Sequence, residues 1–289
     1  MTGKDEVWTI GRILTWTTSH FAEKRIDAPR LDAELLLAAV LEKNRVYLYT
    51  HYDQPLTPAE RDAYRAFVVR RAKHEPVAYI LGEREFYGRP FLVTRDVLIP
   101  RPETEHLIDA VREWGEAHAP AKVADIGTGS GIIAVSLAAQ FPAAEVVAVD
   151  ISEAALAVAR QNAERHGVAA RVSFVLGDLL GPLAGRGSFD VIAANPPYVA
   201  ARDRAALMAD VRDHEPAVAL FGGEDGMTVL TRLCREAPAL LARPGLLALE
   251  MGAGQWPAVR ALLEESGVFA RVRAVADLAG HPRVALGEL

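Results

Sequence analysis

Cysteine is almost missing from this chain. Cys234 stands alone among 289 residues, which excludes an internal disulfide and a cysteine-based zinc cluster. The role left to it is a small buried side chain on a helix, and a reducing compartment is permitted. No metal site is expected. Long apolar runs are missing as well, for no stretch approaches the ~18 apolar residues of a membrane span. Met1-Thr2-Gly3-Lys4-Asp5-Glu6 opens the chain with no apolar segment behind it. No signal peptide is therefore expected, and the expected location is the cytoplasm. The third absence is an excess of positive charge. Thirty-two Lys and Arg face 38 Asp and Glu, a net charge of −6. Binding to a phosphate backbone rests on Lys and Arg, so nucleic acid is a poor expected partner. Internal repeats and low-complexity segments are absent too.

What is present is ordinary globular material, 51% hydrophobic and 24% charged, which argues against a disordered, collagen-like or coiled-coil chain. At roughly 150 residues per domain, the length suggests about two domains. Such a chain buries a sizeable core without covalent staples.

The first 75 residues are expected to be helical. Trp8, Ile10, Ile13 and Leu14 recur at helical spacing, as do Leu31, Leu35, Leu36 and Val40. Thr57-Pro58-Ala59-Glu60 is a helix start, with a capping threonine, a proline at the first helical position and a glutamate that completes a capping box. This part is nearly neutral, with 12 basic and 11 acidic residues, and the acidity lies in the remainder. Residues 76–100 are expected to form a hairpin link, with two short strands around Tyr87-Gly88. Residues 101–289 then form a second domain, opening on a helix over 104–117.

From Ala121 onward strand and helix alternate. Strands are expected at 123–126, 146–150, 173–176, 191–194 and 246–251, and helices at 131–140, 153–166, 203–210 and 226–241. That alternation predicts an α/β domain with a mostly parallel sheet covered on both faces. Residues 271–275 and 283–286 read as a closing antiparallel hairpin.

Two motifs on this framework carry chemistry. The first strand–helix turn is Asp125-Ile126-Gly127-Thr128-Gly129-Ser130-Gly131. Its glycines permit a sharp turn and a close ligand approach, and the following helix start offers N–H groups to an anion. Asp150 ends the next strand, where a carboxylate can accept both hydroxyls of a ribose. A tight turn with no ligand is the plain alternative. The spacing is neither the dinucleotide G-x-G-x-x-G nor a P-loop, which disfavours a nicotinamide enzyme. S-adenosylmethionine fits, since it has an ammonium, a carboxylate and two ribose hydroxyls but no pyrophosphate. After the third strand, Gly177-Asp178-Leu179 is placed to meet an adenine, or else is a surface turn.

The fourth strand runs into Asn195-Pro196-Pro197-Tyr198, at the carboxyl end where open α/β sheets bind ligands. The Asn195 side chain and the Pro196 main-chain carbonyl offer two acceptors. The two prolines stiffen the loop, and Tyr198 offers a flat ring. Together they suit a planar NH2 group, gripped by both hydrogens so that its weakly nucleophilic lone pair is aimed at a methyl donor. A rigid loop cap is the plain alternative.

Further segments stand in a distinctive order. They are Pro29-Arg30-Leu31-Asp32-Ala33-Glu34-Leu35-Leu36, Glu75-Pro76-Val77-Ala78-Tyr79-Ile80-Leu81-Gly82-Glu83, Glu85-Phe86-Tyr87-Gly88 and Ile99-Pro100-Arg101-Pro102-Glu103-Thr104-Glu105. Glu215-Pro216, Ala219-Leu220, Gly222-Gly223-Glu224-Asp225-Gly226 and Leu249-Glu250-Met251-Gly252 follow. With the two motifs, they make the chain resemble the release-factor glutamine methyltransferase family (PrmC/HemK) over nearly its whole length.

The resemblance implies a Rossmann-like class I methyltransferase sheet behind a helical substrate-recognition domain. It implies transfer of a methyl group from S-adenosyl-L-methionine, leaving S-adenosyl-L-homocysteine. The acceptor would be the side-chain amide nitrogen of the glutamine in the Gly-Gly-Gln motif of peptide chain release factors, in translation termination. Gly127, Thr128, Gly129, Ser130, Gly131 and Asp150 would hold the donor, with Asp178, Leu179 and Asn195 completing its site. Asn195, Pro196, Pro197 and Tyr198 would form the glutamine pocket, with Asn195, Pro196 and Tyr198 as its catalytic part. Leu179 departs from the aromatic residue that many members place near the adenine. Arg101, Glu103 and Glu105 would either order the donor pocket or form a helix-entry charge cluster. Release factors are the implied partners, and a monomer is expected. Two other functions share some of these motifs. One is an amino-group methyltransferase acting on nucleic-acid bases, which calls for a basic recognition module. The other is a non-catalytic donor-binding module, against which the intact tetrapeptide speaks.

Overall fold

The structure is a computed structural model that describes residues 7–289. The expectation drawn on Met1 to Glu6 lies outside the described residues. The chain divides into two compact units: a helical unit ending at Gly82 that also includes Met208–His214, and an α/β unit of Glu83–Leu207 and Glu215–Leu289.

The helical unit contains α1 (Ile10–Glu23), α2 (Pro29–Val40), α3 (Arg45–Thr50), α4 (Pro58–Arg71) and α5 (Val77–Leu81). Thr9 caps α1 and Asn44 caps α3. The capping box of α4 forms as expected: Glu60 Oε2 accepts the Thr57 N–H at 2.7 Å, and Thr57 Oγ1 accepts the Glu60 N–H. Ile10, Leu14, Phe21, Leu36, Leu37, Tyr64 and Val68 build the core.

One expectation shifts here. The buried stripe of α2 runs through Ala33, Leu36 and Leu37, while Leu31 is exposed and Leu35 and Val40 are only partly covered. The reason is two acids that α2 also buries. Asp32 accepts from Arg71 Nε at 2.7 Å, and Arg71 reaches Asp210 at 2.7 Å with its other arm. Glu34, fully buried, accepts from Arg30, Arg45 and the Tyr49 hydroxyl. Buried charges need such partners, and they rotate the helix relative to its apolar pattern. At the end of the unit, Glu75 takes a two-pronged bond from Arg70 at 2.8 Å.

The α/β unit opens with a hairpin, β1 (Glu83–Phe86) and β2 (Arg89–Leu92). Tyr87 and Gly88 both take positive φ, 51° and 69°, the geometry a two-residue hairpin turn needs. Tyr87 is held there by its neighbours: its N–H donates to Glu105 and its hydroxyl to Asp109, each at 2.8 Å. The elements that follow are α6 (Glu105–His118), β3 (Lys122–Ile126), α7 (Ile132–Gln140), β4 (Glu145–Asp150), α8 (Glu153–Arg165), β5 (Val172–Leu176) and β6 (Phe189–Ala194). Then come α9 (Ala209–His214, counted in the helical unit), α10 (Ala217–Leu220), α11 (Thr228–Glu236), β7 (Leu241–Glu250), α12 (Trp256–Glu265), β8 (Arg271–Ala276) and β9 (Pro282–Glu288).

The main sheet has seven strands in the order β5-β4-β3-β6-β7-β9-β8. The first five run parallel, and β9 is antiparallel to both β7 and β8. The central strands β3, β4, β6 and β7 are buried on both faces, as parallel sheets usually are, while the edge strands β5 and β8 are partly exposed. Val123, Val146, Ala148, Val191 and Ala193 point to one core, which includes Leu107, Val111 and Ile133 of α6 and α7. Ala124, Val147, Val149, Ile192 and Ala194 point to the other, with Leu230, Leu233, Cys234 and Val259 of α11 and α12. Cys234 is a fully buried free thiol on α11.

Two helices differ from the sequence expectation. Residues 203–210 are not one helix: a 3-10 turn over Ala201–Ala206 ends at an extended Leu207, and α9 begins afterwards. The helix expected to reach 241 stops at Glu236, because Pro238 lies in the next turn and has no N–H to donate. β7 starts at Leu241, five residues earlier than the apolar run alone suggests. Among the described residues no helix is long and apolar enough to cross a membrane.

Candidate active site

The sheet order places the motifs side by side. β3 lies between β4 and β6, and Ile126 pairs with both Val149 and Ala194. The next residue of each strand therefore meets at one edge: Gly127 of the loop, Asp150 and Asn195. This is the switch point of the sheet, where successive connections leave to opposite faces.

A cavity opens at this point. Its walls include Gly127, Thr128, Gly129, Ser130, Asp150, Asp178, Leu179, Asn195 and Pro197. Asp96, Val97, Leu98, Pro100 and Arg101 add a wall from the segment after the hairpin, and Val218, Ala219 and Phe221 add another. Gly131, Pro196 and Tyr198 are not on the lining.

The glycine loop is braced from below. Asp125 Oδ2 accepts from Thr128 Oγ1 at 2.6 Å and from the Ala134 N–H at 3.0 Å. Its other oxygen is buried without a hydrogen bond, and complete burial pushes the Asp125 carboxyl up to about 7, with the Asp150 charge adding to the rise. Asn162 on α8 ties three segments together: it bonds both main-chain groups of Leu92 and donates to the Ser130 carbonyl at 2.8 Å.

The loop amides are largely used internally. Gly127 and Thr128 donate to the Val149 carbonyl, Gly131 to the Thr128 carbonyl and Gly129 to Asp150 Oδ2. Gly127 and Gly129 take left-handed φ values of +73° and +54°, which favour glycine, and a Cβ at either would meet at most a carbonyl at 4.0 Å, so both positions leave open space at the cavity. Gly131 has a different purpose. Its φ is +83°, and a Cβ there would sit 3.1 Å from Ala159 Cβ, so its lack of a side chain lets α7 approach α8.

Asp150 accepts from the Gly129 N–H at 2.8 Å and the Ser152 N–H at 2.9 Å, one on each oxygen. A carboxylate has about four acceptor positions, so acceptor capacity remains on the cavity side. Ile151 beside it is 57% exposed and lines the cavity. The exposed Asp178 carboxylate pairs with Arg232 at 2.8 Å, and Leu179 takes a positive φ of 46°.

The tetrapeptide loop is anchored from behind. Asn195 Nδ2 donates to Thr104 Oγ1 at 3.1 Å, and Thr104 Oγ1 donates to Glu250 Oε2 at 2.6 Å. The Tyr198 hydroxyl donates to the other oxygen of Glu250 at 3.2 Å. Burial pushes Glu250 up to about 7, against the bonds from Thr104 and Tyr198 and the charge of Arg283. Burial next to Glu250 also raises the Tyr198 phenol well above its ordinary value, so it stays a donor. Arg101 pairs with the buried Glu215 at 2.5 Å, and Glu215 also accepts the Ile99 N–H.

Thr104, Glu250, Glu215 and Ile151 carry no role in the motif reading, although the first three lie inside the segments that carry the resemblance. An acid at the end of an apolar strand, Leu246 to Glu250, is the one local signal that points to any of them. Of the charged trio at the helix entry, Arg101 faces the cavity, while Glu105 holds the hairpin turn.

This sheet, with its glycine turn, strand-end acid and tetrapeptide at the switch point, defines a methyltransferase. Residues 104–213 match the methyltransferase small domain family, and residues 12–82 match the PrmC N-terminal domain family. Among solved structures, a methyltransferase from Pyrococcus furiosus is 19% identical with a TM-score of 0.51, covering 78% of this chain and 96% of that one. The hMettl16 catalytic domain in complex with a 3′UTR hairpin is 17% identical with a TM-score of 0.59, covering 76% and 81%. These likenesses concern the fold alone.

Full-length relatives narrow the class. A release factor glutamine methyltransferase of Geobacter sulfurreducens is 46% identical over 290 residues, covering all of both chains. One from Rhodopirellula baltica is 40% identical, covering 98% of this chain and 97% of its own, and one from Bordetella pertussis is 44% identical, covering 90% and 95%. The chain belongs to the release factor glutamine methyltransferase family.

Proposed function

We propose that this protein methylates the side-chain amide nitrogen of the glutamine in the Gly-Gly-Gln motif of peptide chain release factors. The observation that carries the proposal is the placement of Asn195 beside the glycine loop and Asp150, in a chain similar to these enzymes from end to end. S-adenosyl-L-methionine, when bound, supplies an electrophilic methyl group. The residues present suit it: side-chain-free loop positions at Gly127 and Gly129, a strand-end carboxylate with spare acceptor capacity, and apolar walls from Ile151 and Leu179.

In this assignment Gly127 to Gly131 hold the amino-acid end of the donor, with Gly131 acting through the loop's shape. Asp150 accepts the ribose hydroxyls. Ile151 and Leu179 cover the adenine, and Asp178 contributes through the turn, since its carboxylate pairs with Arg232. Asn195 Oδ1 and the Pro196 carbonyl accept the two hydrogens of the glutamine amide, and the nitrogen lone pair is thereby turned into the cavity. Positioning of this kind supplies much of a rate. As the amide nitrogen takes up the methyl group it becomes cationic, and the same two acceptors stabilise it until it sheds one of its two protons. Pro197 lines the pocket, and Tyr198, off the lining, acts through the loop that its bond to Glu250 holds.

The helical unit is assigned to recognition of the release factor. A monomer in the cytoplasm is assigned as well, a location whose reducing milieu the single buried, unpaired cysteine permits. An amino group on a nucleic-acid base would suit the same tetrapeptide, but full-length relatedness and the acidic charge favour the protein substrate.

The test is incubation with S-adenosyl-L-methionine and a purified release factor, followed by mass spectrometry of the Gly-Gly-Gln peptide. One added methyl on that glutamine is the expected result. Methyl transfer to RNA or DNA, with none on the peptide, would overturn the assignment.

A further inference from the structure

Through one hydroxyl, the tetrapeptide loop reaches a carboxyl group that the scheme above does not use. Ala194 pairs with Leu249, so Glu250 lies alongside Asn195 at the edge of the sheet. Glu250 and Thr104 are both fully buried. Thr104 Oγ1 donates to Glu250 Oε2 and accepts from Asn195 Nδ2.

A hydroxyl has one proton to give. An ionised Glu250 can only accept, so that proton is committed to it and Thr104 can only accept from Asn195. Asn195 must therefore turn its NH2 toward Thr104 and its carbonyl oxygen away. The reversed amide would set the Asn195 NH2 against the NH2 of an incoming amide, donor against donor. Tyr198 occupies the second oxygen of Glu250, which holds the carboxyl group in place.

We propose that Thr104 and Glu250 are positioning residues for methyl transfer, which orient the Asn195 side chain so that its carbonyl oxygen is the acceptor for the substrate NH2. The inference rests on the assignment of Asn195 to the glutamine amide. Neither residue touches the substrate; each acts through Asn195.

The test compares Thr104→Val, Thr104→Ser, Asn195→Ala and the double variant Thr104→Val/Asn195→Ala. Each is measured for turnover on a release factor, donor affinity by calorimetry, and Tm. Thr104→Val is expected to lower turnover about 10- to 100-fold, the scale of a misplaced reacting group, with donor affinity within about twofold. Thr104→Ser keeps the hydroxyl and recovers most of the loss. The double variant is no slower than Asn195→Ala alone, because residues acting through one another are not additive. A merely structural threonine would slow the double variant further, and that result overturns the inference. Wild-type turnover in Thr104→Val, with Asn195→Ala slow, also overturns it while leaving the Asn195 assignment standing. Full turnover in Asn195→Ala overturns both. If Thr104→Val does not fold, Glu250→Gln, assayed at pH 8 where Glu250 is ionised, carries the same cycle: it keeps the volume but replaces a carboxylate that only accepts with a group that can donate.

Discussion

Asp150 supports the loop that it faces: its Oδ2 accepts the Gly129 N–H at 2.8 Å, across 21 residues of sequence. The strand-end acid and the glycine turn are thus one unit, and a change in either is felt in both. Asp150→Ala removes the proposed ribose acceptor and this brace together. Hydrogen bonds to a charged group contribute about 1.5–3 kcal/mol each, so donor affinity is expected to fall at least about tenfold. Titration calorimetry with S-adenosyl-L-methionine checks this, and an unchanged affinity would remove Asp150 from the donor site.

Gly131 is predicted to matter for packing. At φ +83°, with Ala159 Cβ 3.1 Å from where its own Cβ would be, Gly131→Ala incurs left-handed strain of about 1–2 kcal/mol and crowds α7 against α8. The urea midpoint should move down accordingly. An unshifted midpoint would show that the α7–α8 approach has slack.

Arg71 serves Asp32 and Asp210 with two arms and donates to the Glu75 carbonyl with a third nitrogen. Truncation leaves Asp32 buried without its cation. Losing one partner of a buried pair costs about 3–5 kcal/mol, so Arg71→Ala should lower the unfolding free energy by that order in denaturant titrations. A loss below about 1 kcal/mol, the range of surface pairs, would mean that water reaches Asp32.

Glu250 also makes stability depend on pH. Burial pushes its folded-state pKa up to about 7, so between the ordinary glutamate value and about 7 the folded protein holds a proton that the unfolded chain releases. Stability is greatest below that window, falls as pH rises through it, and levels off above about 7. The groups acting on Glu250 are Thr104, Tyr198, Arg283 and Glu103. Glu250→Gln should remove a decline of about 3 kcal/mol, since each tenfold gain in proton affinity on folding corresponds to about 1.4 kcal/mol. Asp125, also pushed up to about 7, leaves a remaining slope of the same sign. Unfolding free energies at pH 5 and pH 8 decide the point, and equal slopes in the two proteins would count against a buried, proton-holding Glu250.

Much of the site is legible in the sequence because it is built from strand ends. Gly127, Asp150 and Asn195 each follow an apolar run, and a parallel sheet brings such positions to one edge. The capping box at Thr57 and the turn at Tyr87-Gly88 are equally local. The departures have equally definite causes. The apolar stripe of α2 does not match its buried face because Asp32 and Glu34 turn inward, Asp32 to Arg71 and Glu34 to Arg45 as well as to Arg30 of the same helix, and Arg71 and Arg45 lie outside α2. The helix after Gly226 is shorter than its periodicity implies, because the apolar spacing continues past the proline that ends it.

By itself the sequence determined the alternation of strands and helices, the motif positions, the distribution of charge and the family. These rest on patterns of a few residues, the two-residue period of a strand and the 3.6-residue period of a helix, or on motif order along the chain. Only the tertiary structure decided that Thr104 and Glu250 meet across 146 residues, that Arg101 pairs with Glu215 across 114, and that 208–214 belongs with the helical unit. A buried polar group must find a partner, but strand order selects which one. Because β6 lies between β3 and β7, Asn195 has Glu250 beside it, and no local period along the chain encodes that neighbour.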